Sequence, residues 1–254
     1  MKSKLSQWLV VLATVIMLTV NTLANALPIN GMNTGEVSDS FKVFFVPAGY
    51  VFSIWGLIYL LLAGFTVYQA LPAQRENPIL AKVRPWYIIG SLANAVWIFL
   101  WHYLQFNLTL VFMLALLASL LVIYVILRKD GTALKSAGMK WLVQLPFSVY
   151  LGWITVATIA NATDVLDYNK WNGFGIAGET WALILLGVAV VLAAWMTFRF
   201  RDAAYLAVLV WAFIGIGVRF NGTSIVSTGA YIAAAVVGVL LVLSLVSNFR
   251  KKNI

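Results

Sequence analysis

Three short sets of residues in this chain have the types and spacing to bind something. Trp55 and Tyr59 lie four apart; Asn94, Trp97 and Trp101 follow at intervals of three and four; Tyr150, Trp153 and Ala157 do the same. Such spacing puts the members of each set on one face of a helix. Indole and phenol rings offer flat stacking area with a polar edge, and a carboxamide offers directed hydrogen bonds. Together they suit a large, flat, mostly apolar ligand. They supply neither a nucleophile nor a general base.

The rest of the inventory narrows the chemistry further. The 254 residues include no cysteine, one histidine and eight carboxylates. Disulfides, thiolate nucleophiles and thiolate metal sites are therefore excluded. No nucleotide-binding loop, metalloprotease motif or Ser-His-Asp set is present. Paired carboxylates within the apolar runs, the mark of an ion-coupled pump, are missing too. A formal net charge of +9 raises the question of nucleic acid. The basic residues, however, sit in short clusters between apolar runs, where they act as topology signals, so membrane lipid and not nucleic acid is the expected partner.

The elements that must position the three sets are membrane helices. The chain is 63% hydrophobic and 10% charged, with a mean hydropathy of +0.94, far more apolar than a water-soluble domain. Apolar runs occur at about 5–25, 46–69, 86–106, 107–127, 139–161, 179–198, 203–219 and 228–249. Each is close to the length of one bilayer crossing. The stretch from Trp86 to Leu127 is too long for one crossing, and Trp101-His102-Tyr103 with Gln105-Phe106-Asn107 is its natural turn. The expected fold is an all-α polytopic integral membrane bundle of about eight transmembrane helices. With the N-terminus in the cytoplasm, every lysine and arginine except Lys42, Lys170 and Arg219 falls on the cytoplasmic side, including Lys2, Lys4, Arg84, Lys135, Lys251 and Lys252. That split places both termini in the cytoplasm. Residues 1–26 also fit a signal peptide, with Ala24-Asn25-Ala26 as a cleavage pattern; a retained first helix is the preferred reading.

Several single residues could serve structure as well as function. Asn94 within an apolar helix must find a partner, in a pocket or as an interhelical hydrogen bond. Pro146 frees a backbone carbonyl and kinks its helix next to Trp153. His102 is either a solvated interfacial residue or a ligand to a porphyrin metal, and Arg219 either snorkels or meets Asp164, Asp167 or Glu179. Leu166-Asp167-Tyr168-Asn169-Lys170 fits a loose sterol-contact pattern.

At the level of motifs the chain resembles the TspO tryptophan-rich sensory proteins (TspO/MBR), a family that includes the mitochondrial translocator protein, or peripheral benzodiazepine receptor. Pro47-Ala48-Gly49-Tyr50-Val51-Phe52 and Trp55-Gly56-Leu57-Ile58-Tyr59 are similar to the opening of that family's second helix, with Ala48 in place of a proline and one residue fewer between the two elements. Leu92-Ala93-Asn94-Ala95-Val96-Trp97 is similar to its third helix. Tyr150-Leu151-Gly152-Trp153, Ala157-Thr158 and Asn161 are similar to its fifth, with the proline displaced to Pro146. The resemblance covers about residues 5–165. It implies a TspO-like five-helix bundle over 1–165 and an additional three-helix transmembrane segment over 166–254.

What the resemblance implies about function is a pocket under the loop at 27–45. Trp55, Asn94, Trp97, Trp153 and Ala157 would line it by matched position. Tyr59, Trp101 and Tyr150 join them from the helical spacing. Family members bind porphyrins, sterols and synthetic isoquinoline or benzodiazepine ligands. The expectation is a membrane-embedded sensor or binding protein for such a ligand, with transport of tetrapyrroles or lipids as the alternative. No cofactor is required; a porphyrin or haem enters as a bound ligand. Light-dependent porphyrin breakdown follows from the resemblance alone, since the apolar runs lack general acids and bases. The expected location is the bacterial inner membrane, and a homodimer is one oligomeric state left open.

Overall fold

Apolar runs punctuated by short polar turns dictate helices, and the computed structural model, which describes residues 3–27, 29–129 and 136–250, contains helices and no strand among those residues. Lys2, Lys135, Lys251 and Lys252, used above to orient the chain, lie outside the described residues. The helices are α1 (Ser3–Ala26), the short α2 (Thr34–Asp39), α3 (Ile54–Ala70), α4 (Pro78–His102), α5 (Phe106–Lys129), α6 (Ala137–Tyr168), α7 (Gly178–Phe200), α8 (Ala203–Arg219) and α9 (Ser224–Arg250). All but α2 and α8 are long and apolar enough to cross a membrane, α3 as the span Gly49–Ala70 that includes the 3-10 turn before it. Helix α8 has 17 residues, a length of roughly 25 Å at 1.5 Å per residue, the short end of a crossing. The all-α polytopic membrane bundle is thus the architecture the chain forms.

The chain makes two compact units: Met1–Phe41 with Ile54–Ile154, and Lys42–Ser53 with Thr155–Ile254. In the first, α1 is held by three polar residues spaced seven apart, Gln7, Thr14 and Asn21. Seven residues is the interval that keeps a seam facing a neighbouring helix. Gln7 Nε2 donates to the carbonyls of Gln69 (2.7 Å) and Leu71 (3.1 Å). Thr14 Oγ1 lies 2.8 Å from both Thr66 Oγ1 and the Tyr87 hydroxyl. Asn21 pairs with Asn94 and Tyr59. Thr14–Tyr87 and Asn21–Asn94 share a sequence offset of 73, so α1 and α4 run parallel in one register. Each bond contributes only about 0.6–1.7 kcal/mol in a membrane, but each is satisfied in one register alone.

Arg84, expected in a basic loop, is instead fully buried in α4. Its guanidinium donates to Gln69 Oε1, to the carbonyls of Gln69, Gln74 and Arg75, and to Ser6 Oγ, at 2.7–3.5 Å. It satisfies the Gln69 carbonyl in the last turn of α3 and the carbonyls of Gln74 and Arg75 in the turn that follows, close to a helix C-terminus, where a cation is favoured. Gly90 faces α5, where an added Cβ would collide with Ser119. Pro146 lies just beyond a π-helical turn at Lys140–Gln144. The wider turn accommodates a ring that cannot fit the regular i→i−4 ladder.

In the second unit, Lys42–Ser53 packs on α8. Ala48 N donates to the Gly215 carbonyl at 3.0 Å, and Trp211 Nε1 donates to the Val51 carbonyl at 3.1 Å. Gly215 permits this approach, because a Cβ there would overlap Val51. Helices α8 and α9 close on Gly217, which receives the Tyr231 ring. Ser227 Oγ also donates to the Gly217 carbonyl, at 2.9 Å.

Candidate functional site

The heptad seam of α1 delivers Asn21 to the level of α4 where Asn94 sits, and the candidate site grows from that pair. Asn21 Nδ2 donates to Asn94 Oδ1 at 2.6 Å and to the Met17 carbonyl at 2.8 Å. Tyr59 of α3 donates its hydroxyl to Asn21 Oδ1 at 2.8 Å. Asn94 Nδ2 in turn donates to the Tyr150 hydroxyl of α6 at 3.1 Å. Four side chains from four helices thus form one directed chain: Tyr59, Asn21, Asn94, Tyr150. Asn94 is 1% exposed and Asn21 2%, so each amide draws its partners from the protein.

Aromatic rings cover this chain. Trp55 stacks on Tyr59 with centroids 5.4 Å apart and planes at 24°. Its edge meets Tyr150 at 6.0 Å and Trp153 at 6.1 Å. Tyr150 and Trp153 are buried, whereas Trp55 and Tyr59 keep part of their surface open. The result is a stack with one accessible side and a polar interior. Five of the expected residues, Trp55, Tyr59, Asn94, Tyr150 and Trp153, are therefore brought together.

Trp97 and Trp101 form a second cluster. They stack on each other at 5.1 Å and 18°, and Trp101 packs against Phe41 and Phe106. Trp101 Nε1 donates to the Thr34 carbonyl at 3.2 Å. Ala157, one turn beyond Trp153 on α6, is half-buried and falls in the second unit.

His102 explains what the Trp101 cluster does. It is 1% exposed, not solvated as an interfacial histidine would be. Its Nδ1 lies 3.1 Å from the Ile29 carbonyl, and its Nε2 lies 3.0 Å from Thr34 Oγ1. A carbonyl only accepts, so Nδ1 donates to Ile29, and Nε2 pairs with the Thr34 hydroxyl. Asn30 Nδ2 closes the contact on the His102 carbonyl at 3.0 Å. Both ring nitrogens are used in tying down the loop, and neither is free for a porphyrin metal. The loop has its own rigid part, α2, capped by Asn33 and Glu36 in a reciprocal capping box.

Among the described residues, no group of three or more His, Cys, Asp or Glu could hold a metal ion. The arrangement can stack, donate and accept hydrogen bonds, and exclude water. Sequence reasoning missed Asn21, although the Gln7, Thr14, Asn21 interval was a signal for it.

The sequence profile of the TSPO-like protein family matches residues 7–243. The chain belongs to the TSPO-like protein family. No curated protein and no solved structure matches it. The match begins in the second turn of α1 and runs through α7, α8 and most of α9. It extends well past residue 165, where the motif resemblance stopped. This TSPO-like chain is an integral multi-pass membrane protein, and its family places it among membrane ligand-binding or sensor proteins in general.

Proposed function

We propose that this TSPO-like protein is a bacterial inner-membrane sensor that binds a large, flat, mostly apolar ligand of the porphyrin class on the Trp55–Tyr59–Tyr150–Trp153 cluster. The observation that carries the reading is the half-open Trp55–Tyr59 stack above the buried Asn21–Asn94 pair. It offers π faces for a planar ring system and a polar edge for a substituent. Tyr59 and Tyr150 hold the two ends of the hydrogen-bond chain, so a ligand that recruits either hydroxyl shifts a network joining α1, α3, α4 and α6. The loop that His102 and Trp101 anchor is the element whose opening would admit the ligand. Binding coupled to that opening is a sensor's mechanism and needs no chemical step.

The test is a titration of the purified protein in nanodiscs with protoporphyrin, followed by quenching of tryptophan fluorescence. The expected result is saturation at one ligand per chain. Quenching that rises linearly, with no saturation, overturns the proposal. Uptake into sealed proteoliposomes distinguishes transport from binding alone.

A further inference from the structure

The second unit holds a cavity of its own, about 220 Å³ in volume, between Lys42–Phe45, the last turns of α6 and the loop that leads into α7. Trp171 and Trp181 supply much of its wall, with ring centroids 5.2 Å apart at 53°, and Phe44 adds a third ring. Asp167 and Lys42 stand on its exposed rim, where the Lys42 backbone N donates to Asp167 Oδ2 at 3.4 Å. Asp164, one turn earlier, is 4% exposed and does not line the cavity.

The wall is built and not merely collapsed. Trp181 Nε1 donates to the Gly173 carbonyl at 3.0 Å. Gly173 has φ +62, and an added Cβ would stand 3.1 Å from that nitrogen. Phe174 and Gly175 follow at φ 56 and 76; glycine takes such angles freely, so the cost of the left-handed turn falls on Phe174 alone.

Aromatic faces beside a carboxylate recognise an ammonium group. A lysine on the same rim attracts an anion. The volume lies below the roughly 300 Å³ at which pockets for drug-sized ligands begin, so the ligand is the size of a headgroup. Tryptophans at a helix end are also where a bilayer presents its headgroups.

We propose that this cavity binds a phosphate zwitterion of the phosphocholine or phosphoethanolamine class, its ammonium between Trp171, Trp181 and Asp167 and its phosphate at Lys42. The site shares no residue with the tryptophan cluster of the first unit, so either assignment can fail without the other.

The experiment uses the full-length protein in maltoside micelles. Native mass spectrometry measures binding of phosphatidylethanolamine, phosphatidylcholine and phosphatidylglycerol, and free phosphocholine is added as competitor. The zwitterionic lipids should bind at least about fivefold tighter than phosphatidylglycerol. Asp167→Asn should weaken them about tenfold, while Asp167→Glu should stay within about threefold of wild type, with unchanged circular dichroism in both. Competition by phosphocholine would show that the headgroup suffices and that soluble zwitterions are ligands too. Lipid selectivity without such competition would assign the site to membrane lipid. Equal binding by wild type and Asp167→Asn, or a preference for phosphatidylglycerol, overturns the proposal.

Discussion

Replacing Asn94 by leucine keeps the branched heavy-atom skeleton of the side chain and removes its amide. The Asn21 bond at 2.6 Å and the Tyr150 bond at 3.1 Å are both lost. Interhelical hydrogen bonds in membranes average about 0.6 kcal/mol and reach about 1.7, so the two together predict a loss of roughly 1–3 kcal/mol. Asn21 keeps the Met17 carbonyl as an acceptor for its Nδ2, which holds the cost below that of an orphaned amide. Single substitutions mix the bond with relaxation, so the informative quantity is a double-mutant cycle. Asn94→Leu combined with Asn21→Leu, and separately with Tyr150→Phe, should each give a coupling of about 0.6–1.7 kcal/mol. The assay is reversible unfolding in mixed dodecyl sulfate micelles, followed by far-ultraviolet circular dichroism. Couplings of zero in both cycles would refute the directed chain. Asn94 would then be a polar residue whose partner lies elsewhere.

Three further outcomes follow from the packing. Arg84→Met leaves the carbonyls of Gln69, Gln74 and Arg75 without their shared donor; the same unfolding assay should show a loss of about 1.5–3 kcal/mol. Gly215→Val forces a side chain into the space of Val51, and overpacking of this kind costs about 1–3 kcal/mol, read as a lower midpoint of thermal aggregation in detergent. His102→Ala removes the bonds to Ile29 and Thr34. Hydrogen exchange of the amides in Thr34–Asp39 should then speed up by about tenfold, the equivalent of 1.4 kcal/mol; unchanged exchange would mean that the loop is held by other contacts.

The helices were legible because a bilayer demands about 20 apolar residues, and the chain supplies that length again and again. The turn between α4 and α5 was legible for the same reason: Trp86–Leu127 had to fold back, and it does so after His102. Arg84 was not legible. Counting it as a loop charge treats position near a helix end as exposure, whereas three of its acceptors are backbone carbonyls, which have no signature in side-chain types. Asn21 was overlooked because α1 was judged by length and hydropathy, which average away a polar seam of three residues. The spacing rule grouped Trp101 with Asn94, yet Trp101 serves the loop. Periodicity fixes a common stripe but not which neighbour each member meets. The pairing of Val51 with Gly215 is a long-range steric fit, invisible in either local sequence.

The Trp55–Trp153 cluster is the proposed stacking site for a flat apolar ligand. The direct measurement is the protoporphyrin dissociation constant in nanodiscs for wild type, for Trp55→Ala/Trp153→Ala and for Trp195→Ala, the last an exposed tryptophan of α7. Two stacking faces at roughly 0.5–1.5 kcal/mol each predict a weakening of about fivefold to 150-fold in the double variant and none in Trp195→Ala. Equal affinity in all three proteins would contradict the assignment.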